Sequence, residues 1–225
     1  MFSSPLTTRS LAKKIQNKSA LWLIKRALDK ISIFPVSIRL LYFFKYTGEH
    51  KSKLTPRFSG TIRWGNEQDL PGILSCSNPG KNTIYMDRLK QGEKCLVAID
   101  KDGNTAGYGW LSLKQAHRED KTNIVFEFPE QSIYAYDIFV LPRYRLTGLW
   151  VGLIQLILNS EYYDPTSGLY CFVSHGNHAS LRPHIRYGFE LFEQQTIVTF
   201  LNRSLSIKKP LRHDEATVKK LLNTI

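Results

Sequence analysis

Apolar and polar positions alternate through most of the chain beyond its first quarter. Strands are predicted at "SGTIRWGN" (59–66), "KCLVAID" (94–100), "TAGYGWLSL" (105–113), "NIVFEF" (123–128) and "IYAYDIFVL" (133–141), then at "LYCFVS" (169–174) and "FELFEQQTIVTF" (189–200). Between them the period lengthens. "EQDLPGILSCS" reads as a helix interrupted near Pro71 and Gly72, and Thr83 to Gln91 as a second helix. A third runs from about Leu149 to Leu158, and a short fourth ends near Tyr187. "KDGN" is a turn signal joining two strands into a hairpin. A meander of antiparallel strands that passes into a strand-helix-strand unit predicts an α/β fold of the α+β kind: a mixed, mostly antiparallel sheet flanked by helices.

The first quarter differs. From Leu11 through Ile15, Leu21, Ile24 and Leu28, apolar residues recur at helical intervals among lysines. Residues 1–46 carry nine Lys and Arg against Asp29 alone, which takes +8 of the chain's +12. We therefore expect a basic amphipathic helical arm over 1–50, suited either to an anionic lipid surface or to packing on the domain or on a second subunit. The apolar run from Ile31 to Phe44 is broken by Pro35 and Arg39 and is too short to span a bilayer. It lacks the small-residue cleavage site of a signal peptide. The main domain is expected over 57–200, followed by a basic C-terminal tail over 201–225.

Composition adds exclusions. Apolar residues make up 42% and charged residues 22%, the mix of a soluble globular domain. Cys76, Cys95 and Cys171 are widely separated, so neither a disulfide framework nor a zinc knuckle is indicated, and a reducing cytoplasm fits. "DKDGN" begins like a calcium loop but has Thr105 and Leu111 where the loop needs glycine and glutamate. His175 and His178 have no carboxylate or cysteine at ligand spacing, and no metal is expected. "GYGW" at Gly107 has no following helix to make a dinucleotide site. Neither GxSxG nor a P-loop occurs, and no nucleic-acid recognition motif is found.

The informative stretch is "LPRYRLTGLW", Leu141 to Trp150, where a predicted strand ends and a helix begins. Amides between Arg145 and Trp150 are then the unpaired donors of a helix N-terminus and favour an anion. Gly148 permits close backbone approach, and Arg143 and Arg145 add charge. Downstream stands "NHASLRPHIRYGFEL". Together, in this order, the two resemble the GNAT superfamily of acyl-CoA-dependent N-acetyltransferases over roughly residues 57–200. The family's loop R/Q-x-x-G-x-G/A corresponds to Arg145, Leu146, Thr147, Gly148, Leu149 and Trp150, and its later pattern to Asn177, Ser180, His184, Gly188 and Phe189. Two positions depart from it. Trp150 stands where the loop usually has a small residue, and His184 where the family has the tyrosine that protonates the departing thiolate.

The resemblance implies acetyl-CoA as acyl donor, its pyrophosphate on the 145–150 loop and its pantetheine arm along Phe139, Val140 and Leu141, with Asn177 and Ser180 near by. It makes His184 the general acid, with Tyr187 the substitute donor one helical turn on. A histidine retains an N–H when neutral. Pro183 suits a helix that starts near Ser180, where the missing N–H is tolerated. Asp137, placed on the face of Phe139 by alternation, is the expected general base or water-orienting group, with Glu127 on the neighbouring strand as rival. The implied reaction is acetyl transfer to a primary amine of an amino sugar, a small amine or a protein. Further expectations are peripheral association with an anionic membrane and a homodimer. The alternative is a non-catalytic acyltransferase-fold protein that binds an anionic partner through its arm.

Overall fold

The computed structural model describes residues 36–48, 56–76, 82–119, 122–201 and 203–223. The helical arm expected from Leu11 to Leu28 lies outside these residues. Residues 36–46 do not belong to any helix: Val36–Tyr46 is a strand, β1, in the middle of the main sheet. Its apolar run has no helical period because both of its faces are buried. Leu41 and Phe43 face one side of the sheet and Tyr42 and Phe44 the other. The expected boundary of the arm at residue 50 is thus moved back by this strand.

The chain continues through β2 (Gly60–Gly65), α1 (Leu70–Cys76), α2 (Asn82–Lys90), β3 (Lys94–Asp100) and β4 (Thr105–Ser112). Pro71 and Gly72 do not interrupt α1; Pro71 sits in the first turn, where no intrahelical N–H is needed. A capping box at Asn66 and Asp69 starts the single 3-10 turn before it. Next come β5 (Ala116–Arg118), β6 (Val125–Glu127), β7 (Ile133–Val140), α3 (Leu149–Leu158), β8 (Leu169–Ser174), α4 (His178–Arg186) and β9 (Phe189–Phe200). The expected basic tail contains β10 (Arg203–Pro210) and α5 (Glu215–Asn223). It extends the sheet and buries Leu221 in the core.

Eight strands form one sheet in the order β10-β9-β1-β8-β7-β4-β3-β2, while β5 and β6 make a separate hairpin. All neighbours in the large sheet are antiparallel except β7 and β8, which are joined by α3. One core lies between the sheet and α3, α4 and α5, with Leu153, Ile154, Ile157, Leu181 and Phe189 at its centre. On the other face, α1, α2 and the β5–β6 hairpin cover an aromatic layer. Phe126 packs edge-on against Phe43 at 5.0 Å, and Phe128 stacks on Tyr134 at 4.5 Å.

Candidate active site

β7 and β8 are in register only at Ile133 with Leu169 and Tyr134 with Tyr170. Beyond that point the two parallel strands part, and the fork opens toward their C-terminal ends. On its other edge, against β4, β7 carries a bulge. Tyr136 opposes Trp110 and Phe139 opposes Tyr108, so Asp137 and Ile138 together face Gly109. Asp137 takes the left-handed conformation, φ 48°, which aspartate tolerates better than most residues. At Gly109 a Cβ would stand 3.0 Å from Ile138 Cγ1 and crowd the bulge.

The bulge also sets directions. Asp137 and Phe139 do share the α1–α2 side of the sheet, but plain alternation is not the reason, since Tyr136 lies on that side too. The Asp137 carboxylate accepts from Arg88 Nη1 at 3.0 Å and from the Tyr85 hydroxyl at 3.2 Å; that hydroxyl is 3.1 Å from the Tyr108 hydroxyl. Arg88 is buried, with its guanidinium 4.7 Å from the centre of the Tyr136 ring. None of these partners was foreseen from the sequence, because α2 meets β7 only through tertiary folding. Glu127 is not on the strand beside β7. It lies in the separate hairpin and is exposed, since Phe126 takes the inward position of that short strand.

At the end of the fork, Leu141 leads into a 3-10 turn at Pro142–Tyr144 and then into α3. Gly148 caps α3 in the left-handed conformation, φ 76°, and the first bond of the helix runs from the Gly152 amide to the Gly148 carbonyl at 3.0 Å. The amides of Leu149, Trp150 and Val151 precede that bond. The loop is anchored from outside. The Tyr144 hydroxyl donates to Asp100 Oδ2 at 2.6 Å, and the Arg57 amide donates to the Thr147 carbonyl at 2.7 Å. The Tyr144 bond, with the Asn104 and Asp102 amides, holds the Asp100 carboxyl below its ordinary range. Arg143 stands 3.6 Å from the same carboxylate, and Arg145 Nε folds back to the Val140 carbonyl at 3.3 Å. Leu146 is fully exposed at the tip.

Trp150 points inward. Its indole lies 4.6 Å from the His184 ring, 5.9 Å from Tyr187 and 6.1 Å from Phe189. α4 begins at His178 with the exposed Asn177 as its cap, so Pro183 is interior to the helix and not in the first turn as expected. His184 is 4% exposed and Tyr187 wholly buried. His184 Nδ1 is 2.7 Å from the Ser180 carbonyl, which can only accept, so Nδ1 carries the proton. Burial lowers its pKa from 6.5 to about 4, against the pull of that carbonyl. The ring is therefore neutral near pH 7, and its Nε2 is an acceptor. The structure thus brings His184, Tyr187 and Trp150 together on the α3–α4 side of the sheet, and Asp137 and Phe139 on the opposite side.

No protein-family model matches the chain. In sequence it is similar to the L-methionine sulfoximine/L-methionine sulfone acetyltransferases of Pseudomonas paraeruginosa and Pseudomonas aeruginosa, 28% identical over 153 residues that cover 60% of this chain and 83% of each relative. In structure it is similar to a conserved protein of unknown function from Staphylococcus epidermidis, with TM-score 0.51 and 11% identity. That match covers 79% of this chain and 66% of the other, just under two thirds of its length. It is also similar to a GNAT family N-acetyltransferase from Escherichia coli in complex with CoA, with TM-score 0.35, 22% identity, and coverage of 48% of this chain and 59% of that one. The sheet is the one that the motifs led one to expect, and the sequence relatives are acetyltransferases: the chain has a GNAT-like fold, a mixed, mostly antiparallel sheet flanked by helices.

Proposed function

We propose that the protein transfers an acetyl group from acetyl-CoA to the primary amine of a small acceptor. The observation that carries this reading is the fork between β7 and β8, which ends at the glycine-capped start of α3. Residues 138–141 offer a strand edge no longer in register with β8, along which an extended pantetheine arm can lie with Phe139, Val140 and Leu141 beside it. The amides of Leu149 and Trp150, with Gly148 allowing close approach, meet the pyrophosphate at the positive end of the helix. Backbone does this work, as Arg143 and Arg145 are turned back onto the protein.

The acceptor enters from the α1–α2 side, where the partly exposed Asp137 carboxylate is held by Arg88 and the Tyr85 hydroxyl. The paired carboxylate of Asp137 attracts and orients the ammonium group or a water. The amine, once neutral, attacks the thioester carbonyl carbon; the C–N bond forms, the C–S bond breaks, and the surplus proton of the amine passes to the Asp137 carboxylate, directly or through that water. Tyr187 protonates the leaving thiolate, because its hydroxyl retains a proton where the Nε2 of His184 has none. His184, with Asn177 and Ser180 at the start of the same helix, positions that wall. The sequence relatives, named for acetylating methionine sulfoximine and sulfone, support an amine acceptor. The comparisons give the non-catalytic alternative no support.

Calorimetric titration with acetyl-CoA tests the reading. Gly148→Val places a β-branched residue at a positive φ and at the phosphate approach, and should weaken binding at least about tenfold. Unchanged affinity in the folded variant would reduce the loop to a turn.

A further inference from the structure

The outer end of the sheet carries apolar side chains where a folded protein usually has polar ones. Cross-strand register puts Arg203 opposite Phe200, Leu205 opposite Val198 and Ile207 opposite Thr196, so Phe200, Leu205 and Ile207 share one face. Phe200 is 49% exposed, Leu205 63% and Ile207 56%, and Leu201 at the hairpin tip is 63% exposed. Leu201 has φ 44°, in a turn that asparagine or glycine would fill with less strain. Arg203 and Lys209 flank the apolar pair on the same face of β10 by alternation. From 198 to 213 the chain has Arg203, Lys208, Lys209 and Arg212 and no acid at all.

A second observation converges on the same place. Val36, the first residue of β1, pairs with Phe200. The segment that precedes it, with seven Lys and Arg against Asp29, therefore joins the fold at this hairpin. Exposed apolar side chains ringed by cations, beside the attachment point of a basic amphipathic sequence, match the chemistry of an anionic lipid surface: acyl chains take the Leu, Ile and Phe side chains and head groups take the cations.

We propose that the β9–β10 hairpin docks the protein on an anionic membrane surface. The experiment is sedimentation of the full chain with vesicles of phosphatidylcholine alone or with about 30% phosphatidylserine. Wild type should partition at least about tenfold better onto the anionic vesicles and lose that preference at high salt. Leu201→Asn with Leu205→Ser and Ile207→Ser should cut the partitioning at least about fivefold while the urea midpoint stays within error, since all three side chains are largely solvated. Equal binding by wild type and the triple variant would overturn the proposal, as would no binding by wild type. A wild-type dimer that the variant abolishes, without vesicle binding, would make the face a contact between two copies. Tryptic cleavage before Val36 that is accelerated in the variant would mean that the chain's own N-terminal segment covers the face; either result refutes the membrane assignment.

Discussion

The buried imidazole of His184 makes the stability of the protein depend on acid in a definite direction. In the unfolded chain a histidine takes up its proton near pH 6.5; in the native core it does so only near pH 4. Between these values the unfolded state binds the extra proton, so stability falls as the pH drops through that window and levels off below it. The gap of about 2.5 pH units corresponds to about 3 kcal/mol, a large share of the roughly 5–15 kcal/mol that holds a domain together. The perturbation is His184→Phe, which keeps a ring against Trp150, Phe44 and Phe189 but cannot titrate. Losing the bond to the Ser180 carbonyl costs the variant about 1 kcal/mol at every pH, so the slope and not the offset is diagnostic. Urea denaturation followed by tryptophan fluorescence should show wild type losing about 2 kcal/mol more than the variant between about pH 7 and pH 5. Asp69 and Asp100, held below the ordinary carboxylate range by Arg63 and Tyr144 respectively, contribute only at lower pH and equally in both proteins. Parallel stability curves over that interval would refute the buried neutral ring, and with it the argument that Nε2 has no proton to give.

Two further outcomes follow from the site. Tyr187→Phe should lower kcat at least about tenfold with little change in acetyl-CoA affinity, while His184→Phe changes kcat less than about threefold; the reverse order in a steady-state assay would return the acid role to His184. Arg88→Met should raise KM for the amine more than it lowers kcat and should also destabilise the fold by about 2–4 kcal/mol, because it leaves the partly buried Asp137 charge without its cation; an unchanged melting curve would show that the Arg88–Asp137 pair is not formed.

The sequence disclosed those parts of the fold whose pattern is local. The strands of the β3–β4 hairpin, the Gly148 loop and α3 all stand where alternation, turn residues and the change of period put them. β1 was misplaced because a strand buried on both faces has no alternation to show, and its hydrophobic run adjoins a segment that does have helical spacing. β10 reads as tail because an edge strand ending in two lysines and a proline looks solvated. At the site, the candidate loop residues could be named from spacing, but the bulge at Asp137 could not, since it depends on how β7 registers with β4. Nor could the direction of Trp150 or the proton on Nδ1 of His184, which are set by packing between α3, α4 and β9.

The position of β1 bears on how the chain comes to be folded at all. Leu41 meets Ser174 and Val36 meets Phe200, partners 133 and 164 positions away along the chain. A strand made this far ahead of its partners has to wait until the chain through β9 has followed before both of its neighbours exist. Pairings so distant in sequence are slow to close, and until they do an apolar strand remains unpaired and open to association with other chains. Refolding from denaturant should accordingly yield less native protein as concentration rises, and a chain cut anywhere between β1 and β8 should regain its sheet only if both pieces are supplied together.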